Sequence, residues 1–504
     1  MSPDTGSEPR FPEEFSPLES LSSRSRKHDG LTTYLGRGNE VEIQELDKSG
    51  NVTQRWRHTP DNVIIPVLSK GKSNNFFFRS MREWRKGLYD AFLPVGFPHS
   101  VSEDYLAYQT FDSLQAFFST ITSLLANRAL LQGLGVGDAN SSATFAMLLT
   151  ILKDAMSRVA TILFAQQFGL RIEPDAKKFR FLADLFNDTA FFLELYSPYF
   201  GSWGKVIALT TGEALRALCG VSAGASKAAL SVHFAKHNNL AELNAKEASQ
   251  ETAVGLVGLL VGTILVKSVE DHQSVVYLMV SLVFAHLWMN YLGVRSVCMT
   301  TLNRQRATIL FEEHLKSGKV LTPEEVAQRE NIIFWKPVVR NRNGGLVAKI
   351  EMAENYWKAM GGSRPRVDIA IVDGALYSLF VWSHASQNTT PIKILLWRDA
   401  EPVHIISSWF MAMEVAWLMN KGEGYSDKLD WIFVRNKSHP TAWLVKGQVA
   451  NEKEEQHLDE YKKRYNDREF WEAIRAKGWN LKTQAFETGA PVRLTAHSLE
   501  KKDQ

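Results

Sequence analysis

The 504-residue sequence contains only two cysteines, Cys219 and Cys298, which lie far apart in apolar stretches. Two cysteines cannot form the disulfide framework of a small secreted domain, so we expect two buried thiols in a reducing compartment. The opening residues, MSPDTGSEPRFPEEFSPLES, lack the apolar core of a signal peptide and the Arg-rich face of a mitochondrial presequence. Being polar, acidic and rich in Pro and Ser, they predict a disordered tail over residues 1–30. We therefore expect the protein to be intracellular rather than secreted.

Short catalytic signatures are also missing. There is no GxGxxG, HExxH or paired CxxC motif, and KGKS at Lys70–Ser73 has no upstream glycine frame for a phosphate loop. A net charge of +3 gives no reason to expect nucleic acid as a partner. The residues predict no metal or cofactor and favour a protein that is not an enzyme.

Long stretches without charge lie in the middle of the chain, between Tyr105 and about Leu310. Ser113–Asn127, Thr252–Val266 and Gln273–Val294 contain no Asp, Glu, Lys or Arg. Only Gln273–Val294, with 22 residues, reaches the roughly 20 needed to cross a bilayer. These patterns predict a mainly α protein, a multi-helix membrane-associated bundle over residues 76–312.

The flanking segments have a different character. EVEIQELDKSGNVTQRWRHT predicts a β-hairpin within residues 31–75, because alternation of side-chain type flanks a Gly-containing turn. After about residue 320, apolar strands such as PIKILLWRD alternate with charged helices, and LTPEEVAQREN begins with a Thr N-cap. We expect a smaller, soluble α+β domain over residues 313–504.

Two features of the central region suggest how its helices pack. Gly255, Gly258 and Gly262 share one helix face, where small residues let helices approach closely. Two pairs of segments are also similar, ANRALLQGLGVGDANSSAT with AKHNNLAELNAKEASQET, and LADLFND with FAHLWMN. The alternatives are a true internal two-fold repeat, with a site where the copies meet, and chance similarity between helical sequences.

Charges occur at the centre of the apolar stretch TFAMLLTILKDAMSRVATILF, Thr144–Phe164. On a helix, Lys153, Asp154 and Arg158 fall in one polar sector, while Leu, Ile and Val cover the opposite face. The stripe faces water if the helix is soluble. It faces a polar bundle interior if the helix lies in a membrane, where the pairing of Asp154 with Arg158 lowers the cost of burial.

Further polar residues recur at helical spacing downstream. Asp184, Asn187 and Asp188 share a face, and the similar segment places His286 four residues before Asn290. Carboxylates with an imidazole could relay protons or bind a metal, although hydrogen bonding between helices explains the same pattern. We take Asp184, Asn187, Asp188 and His286, with the stripe residues, as candidates for a polar interior.

Polar loops precede two of the apolar helices. GVGDANSSA contains Asp138, and KEASQETA contains Ser249 and Glu251. Asp and Ser cap helix N-termini, and an acidic residue in a first turn is favoured by the helix dipole. These residues are predicted to be helix caps, or alternatively to line a site from two loops.

Five ordered motifs resemble the root UV-B sensitive family. They are FLPVGFPHSVSEDYLAYQTFDSLQAF, GVGDA, ILKDAMSRVATILFA, DAKKFRFLADLFNDTAFFLEL and AKEASQETAV, and the similarity covers roughly residues 76–310. The resemblance implies a multi-helix membrane protein linked to vitamin B6 homeostasis, with family members acting together. It carries over no catalytic residue.

The resemblance also implies partners and one weak cofactor possibility. We expect membrane lipid and a homo- or hetero-oligomer with another family member, in an intracellular membrane. Pyridoxal phosphate enters only through the family's link to B6, because a Schiff-base lysine needs a phosphate cup and an acidic partner. Lys153 beside Asp154 does not provide these. The open functions are movement of a small polar solute, scaffolding of a complex, a partly soluble interaction module that docks through its C-terminal domain, and an enzyme of B6 metabolism.

Overall fold

The computed structural model describes residues 34, 40–46, 52–61, 63–67, 84–85, 87–133, 143–236, 238–269, 271–362, 369–374, 376–382, 389–419 and 468–497. The predicted tail over residues 1–30 and the loop residue Asp138 lie outside these residues. The chain divides into two compact units, Met1–Ser100 and Val101–Gln504.

The first unit contains the predicted β-hairpin. Strand β1 (Val41–Leu46) pairs antiparallel with β2 (Val52–His58), and β3 (Ile64–Pro66) extends the sheet on the other side of β2. The hairpin prediction is therefore confirmed, with one further strand. Residues 84–85 and 87–92 are helical, and Trp84 and Tyr89 on them are exposed.

Six long helices form the first part of the second unit. They are α1 (Tyr105–Gly133), α2 (Ala143–Ile172), α3 (Ala176–Tyr196), α4 (Ser202–Phe234), α5 (Leu240–Ser268) and α6 (His272–Ser296). Helix α1 packs against α3, α5 and α6, whereas α3 also packs against α4, and α2 lies mainly on α4. Thus α2 forms a flank of the bundle.

The glycine face of α5 allows the close approach that its spacing predicts. A Cβ added at Gly258 would lie 3.0 Å from the Thr120 side chain, and one at Gly262 would overlap Leu124. Both partners are on α1, so these glycines bring α5 against α1.

Three described helices are long and apolar enough to cross a membrane, namely Ser202–Phe234, Leu240–Ser268 and Gln273–Ser296. The sequence predicted one of them clearly, as Gln273–Val294. Thr252–Val266 looked too short to span because only its charge-free residues were counted. The charged segment before it, LAELNAKEASQE, belongs to the same helix. Leu, Ala, Glu and Lys are good helix formers, so the helix extends through both segments.

The remainder of the second unit mixes strands and helices. After β4 (Thr301–Asn303), helix α7 (Arg304–Ser317) and helix α8 (Pro323–Arg329) follow, and the predicted N-cap Thr322 forms a capping box with Glu325. Then come β5 (Val338–Arg340), β6 (Leu346–Met352), α9 (Tyr356–Ala359), β7 (Ile369–Asp373), β8 (Tyr377–Trp382), β9 (Thr390–Trp397), α10 (Pro402–Leu418), α11 (Arg468–Ala476), β10 (Asn480–Ala485) and β11 (Arg493–Leu494).

These elements enclose a separate apolar core. A mixed sheet has the order β5-β6-β9-β8-β7, with β11 parallel to β9, and the apolar helix α10 packs on it. Trp409, Phe410 and Phe311 are fully buried there. The mainly helical fold with a smaller sheet region is confirmed. The boundary at residue 312/313 stays a prediction, because the bundle and the sheet belong to one compact unit. The internal repeat also stays a prediction.

Candidate functional site in the bundle interior

A buried guanidinium organises the polar centre of the bundle. Arg180, near the start of α3, donates from Nη2 to Asp112 of α1 at 2.6 Å and from Nη1 to Asp184 at 3.2 Å. Its Nε group lies 3.3 Å from the Tyr108 hydroxyl, and Nη2 also reaches the Gln115 amide oxygen at 3.3 Å. A buried charge is tolerated only when it is paired and hydrogen-bonded, and Arg180 satisfies both conditions.

Helix α6 completes this centre from the opposite side. The His286 ring places Nδ1 2.9 Å from Asp188 and Nε2 3.5 Å from Asp184. The Asn290 side chain donates to Asp184 and, at 3.2 Å, to the Arg180 carbonyl. Three of the predicted polar-interior residues, Asp184, Asp188 and His286, thus lie together and are almost completely buried.

The two similar segments meet at this point. In the alignment of these segments, Asp184 corresponds to His286, and Asp188 corresponds to Asn290. The Asp184–Asn290 contact therefore corresponds to the His286–Asp188 contact. The contacts are therefore related by a local two-fold exchange of α3 and α6.

A second set of charges joins α2, α3 and α4. Lys153 of α2 lies 3.2 Å from Glu213 of α4, and Arg216 one turn later pairs with Glu194 of α3. The Arg216 guanidinium also lies 4.8 Å from the centre of the Phe191 ring. Lys153 therefore faces the bundle.

The rest of α2 is mostly exposed, on its apolar side as well as at its charges. Its apolar sector is largely exposed, with Ile162 66% exposed and Ile151 52% exposed. Asp154 and Arg158 are exposed too, so the predicted stripe splits, with Lys153 inside and these two outside. Only part of the predicted polar stripe faces α4. Lys153 and Asp154 are adjacent on the helix, so their side chains point about 100° apart.

Three further candidates take other places. Asn187 is half-buried on α3, beside the cluster rather than within its described hydrogen bonds. Ser249 and Glu251 do not cap a helix, because α5 begins at Leu240, and both lie inside it. Glu251 pairs instead with Lys227 of α4.

Several residues of the site were not predicted. They are Tyr108, Asp112, Gln115, Arg180, Glu194, Glu213, Arg216 and Glu247. The available signal was the spacing of Arg180, Asp184 and Asp188 along α3, which places a charge on one face at each turn.

The buried cluster around Arg180 and His286 offers both hydrogen-bond donors and acceptors inside an apolar bundle. Carboxylates accept hydrogen bonds, the guanidinium donates them, and the imidazole does either. Among the described residues, no three His, Cys, Asp or Glu side chains are placed to hold a metal ion together. Lys153 does not fit a pyridoxal phosphate site, since its amine lies 3.2 Å from the Glu213 carboxylate.

A small cleft lies where α3 begins, close to the α+β part. Its volume is about 100 Å³, and its lining includes Lys177, Arg304, Arg306 and Glu330. The Glu330 carboxylate is buried between Lys177 and Arg306, with the Arg306 contact at 3.1 Å. Burial acts to raise the pKa of Glu330, but the two cations and their hydrogen bonds hold it below its usual value.

The chain is similar in sequence to several known proteins. Residues 79–318 match the vitamin B6 photo-protection and homoeostasis domain. The chain is 32% identical to "Protein root UVB sensitive 3" of Arabidopsis thaliana over 405 residues, 77% of this chain and 90% of the relative. It is 38% identical to "RUS family member 1" of Dictyostelium discoideum over 251 residues, 49% of this chain and 48% of the relative. "Protein root UVB sensitive 2, chloroplastic" of Arabidopsis thaliana is 31% identical over 345 residues, 68% of this chain and 75% of the relative. No solved structure matches the chain.

Proposed function

The chain belongs to the root UV-B sensitive family, which is linked to vitamin B6 homeostasis, and we propose that it is an intracellular membrane protein whose polar interior binds and moves a small polar solute. The inverted burial of the bundle carries this proposal. Lys153 and Arg180 are buried, whereas Ile162 and Leu260 are exposed. In water, a helical bundle buries its apolar faces and exposes its charges.

A bilayer accounts for this inversion. Lipid chains accept apolar side chains at no cost, while charge facing lipid is expensive and turns to the bundle interior. The exposed apolar residues of α2, α4, α5 and α6 cover large parts of these helices, far more than the scattered apolar residues of a soluble surface. Membrane lipid is accordingly the proposed surrounding of the bundle.

The polar interior supports solute binding rather than packing alone. Buried carboxylates at Asp112, Asp184 and Asp188 contact Arg180 and His286 across three helices. Intramembrane ionisable residues commonly mark substrate and ion pathways. A small molecule with both donor and acceptor groups is the class of solute that such a centre recognises, and no catalytic step is proposed.

The flank formed by α2 supports an oligomer. Asp154 and Arg158 are exposed on the polar sector of α2, so lipid around this helix would have to solvate two charges. A second copy, or another family member, packed on α2 would remove both charges from lipid. Because the two residues are one turn apart, antiparallel α2 helices can pair Asp154 with Arg158 in both directions.

Alkaline carbonate extraction of cell membranes tests the location, combined with protease protection of a C-terminal tag. We expect the full chain to stay in the pellet and the tag to be digested or protected as one population. Release into the supernatant would contradict membrane embedding, and the exposed apolar faces would then have to be covered by protein.

Solute movement needs its own test, which stays informative if the first succeeds. Cells lacking the protein are complemented with the wild type and with Asp184→Asn, and their content of B6 vitamers is measured. A variant that inserts normally but does not restore the content supports the proposal. Full restoration would contradict it and favour a scaffold.

An interaction module is the second candidate, favoured by exposed aromatic residues in the α+β part. Phe334 is 84% exposed, and Trp357 is 57% exposed. Large exposed aromatics are enriched at protein interfaces. Phe334→Ser and Trp357→Ser would abolish partner capture under this candidate while Asp184→Asn would not, and the opposite pattern favours the polar interior.

A further inference from the structure

Two buried side chains between α1 and α5 have polar atoms without a hydrogen-bond partner among the described residues. They are both amide atoms of Gln109 and Oε1 of Glu247. The hydroxyl of Tyr105, which is also buried there, is within reach of Gln250. Each side chain is at least nine-tenths buried. Glu247 is held on its other oxygen by Ser231 of α4, 3.4 Å away. Unsatisfied buried polar atoms are rare in native proteins, and a bound water or ion is one explanation for them.

The contacts of the glycine face show that these atoms lie at one level. Gly258 lies against Thr120 and Gly262 against Leu124, so α1 and α5 run parallel with an offset of 138 positions (258 minus 120, and 262 minus 124). The same offset places Glu247 opposite Gln109 (247 minus 109). Tyr105 lies one turn from Gln109 and close enough to Glu247 to interact electrostatically.

The local charge is negative. Four carboxyl groups are buried in this part of the bundle, at Asp112, Asp184, Asp188 and Glu247, against the two basic groups of Arg180 and His286. Lys227, whose charge also acts on Glu247, is already paired with Glu251. A buried carboxylate without its own cation is costly, so a positive charge bound beside Glu247 would stabilise the bundle.

We propose that Glu247, Gln109, Tyr105 and Ser231 form a binding site for a small monovalent metal cation, with sodium as the probe. The four side chains offer a carboxylate, an amide oxygen and two hydroxyls, which is the all-oxygen set that hard cations prefer. One carboxylate supplies one negative charge, which matches a monovalent ion better than a divalent one. The cation site requires only the folded bundle, so its test does not depend on whether the protein moves a solute.

Thermal unfolding of the purified full chain in detergent tests the site. The unfolding midpoint is measured at constant pH and ionic strength while sodium chloride replaces choline chloride. A ligand that binds only the folded state raises the midpoint with its concentration. We expect a saturable rise with sodium that Glu247→Gln and Gln109→Leu abolish. The matched control Glu242→Gln changes a carboxylate on the same helix, near its start, and should keep the rise.

Two results would overturn the proposal. Equal midpoints of the wild type in sodium and choline would show that no sodium binds. A rise that persists in both Glu247→Gln and Gln109→Leu would place any sodium elsewhere. If either variant fails to fold, direct binding of radioactive sodium to the wild type, with choline as competitor control, decides the first point. A midpoint that responds to pH but not to sodium identifies a proton on Glu247 instead and also contradicts the metal site.

Discussion

The Nδ1 atom of His286 lies 2.9 Å from Asp188, so an imidazole from α6 and a carboxylate from α3 face each other in the bundle interior. Their helices are joined a second time by Asn290 and Asp184. A carboxylate fixes the orientation and tautomer of an imidazole that contacts it. The pair therefore sets which nitrogen of His286 faces Asp184.

The first prediction concerns Asp184, which joins all three helices of the centre. Asp184→Asn keeps the shape but removes the charge that Arg180 and His286 share. We expect loss of function with normal membrane insertion and expression. The measurement is the B6-vitamer content of complemented cells, with size-exclusion chromatography to verify folding.

Glu103→Gln is the control, because Glu103 is an exposed carboxylate outside the bundle interior. It should restore the vitamer content fully. If Asp184→Asn also restores it, the centre serves only to hold α1, α3 and α6 together.

The sequence predicts part of this centre and not the remainder. Asp184 and Asp188 were identifiable because helical periodicity places them on one face, and His286 because its segment is similar. Arg180 has the same periodicity, but its partner Asp112 lies on another helix, 68 residues earlier. Such pairing depends on which helices pack together, and this cannot be predicted from the local pattern of a single sequence.

The same limit explains the two residues predicted as caps. Ser249 and Glu251 have the composition of a helix start, but no breaker separates them from LAELNAKEA, and α5 begins earlier at Leu240. The fold class was easier to predict, because long charge-free helices and alternating strands are local patterns. Which face of α2 is buried depends on α4 and was left open between two alternatives.

The second prediction concerns Glu330, which contacts Lys177 of α3 and Arg306 of α7. Glu330→Gln leaves both buried cations without their carboxylate. Breaking a buried ion pair by removing one partner typically costs about 3–5 kcal/mol, and we expect a loss of this order. Chemical denaturation in detergent measures it.

Glu325→Gln supplies the comparison for Glu330, since Glu325 forms an exposed pair with Lys319. Its cost should be far smaller, because water and salt screen an exposed pair. An equal loss of unfolding free energy in both variants would mean that the buried cluster does not stabilise the packing of α3 on α7.

The third prediction is a dependence of stability on pH through Asp104, just before α1. Burial acts to raise the pKa of Asp104, but hydrogen bonds from His233, Ser102 and the Cys298 amide, with the charge of His233, lower it to about 2. A carboxyl whose pKa is lower in the folded state stabilises the fold above its unfolded pKa of about 4. That contribution is lost as pH falls from about 4 through about 2.

Denaturant titrations of the wild type and Asp104→Asn at several pH values measure this contribution. The difference between their free energies of unfolding should be about 2 kcal/mol near neutral pH and shrink below about pH 4. A difference that stays constant down to about pH 2 would show that the Asp104 charge does not stabilise the fold.

The fourth prediction tests the proposed oligomer through α2. In an antiparallel pair of α2 helices, Asp154 of one copy meets Arg158 of the other, twice. Asp154→Arg places like charges opposite each other and should separate the copies. Adding Arg158→Asp reverses both signs and should restore the assembly, because the pairing is then regained with exchanged roles.

Cross-linking of membranes and light scattering in detergent measure the assembly of the three proteins. Recovery in the double variant distinguishes a charge pair between copies from a general effect of charge at this position, because both variants place arginine at residue 154. Assembly of the Asp154→Arg variant as complete as that of the wild type would contradict an interface on α2. The exposed charges of α2 would then have to lie at the headgroup level, where lipid phosphate and water can solvate them.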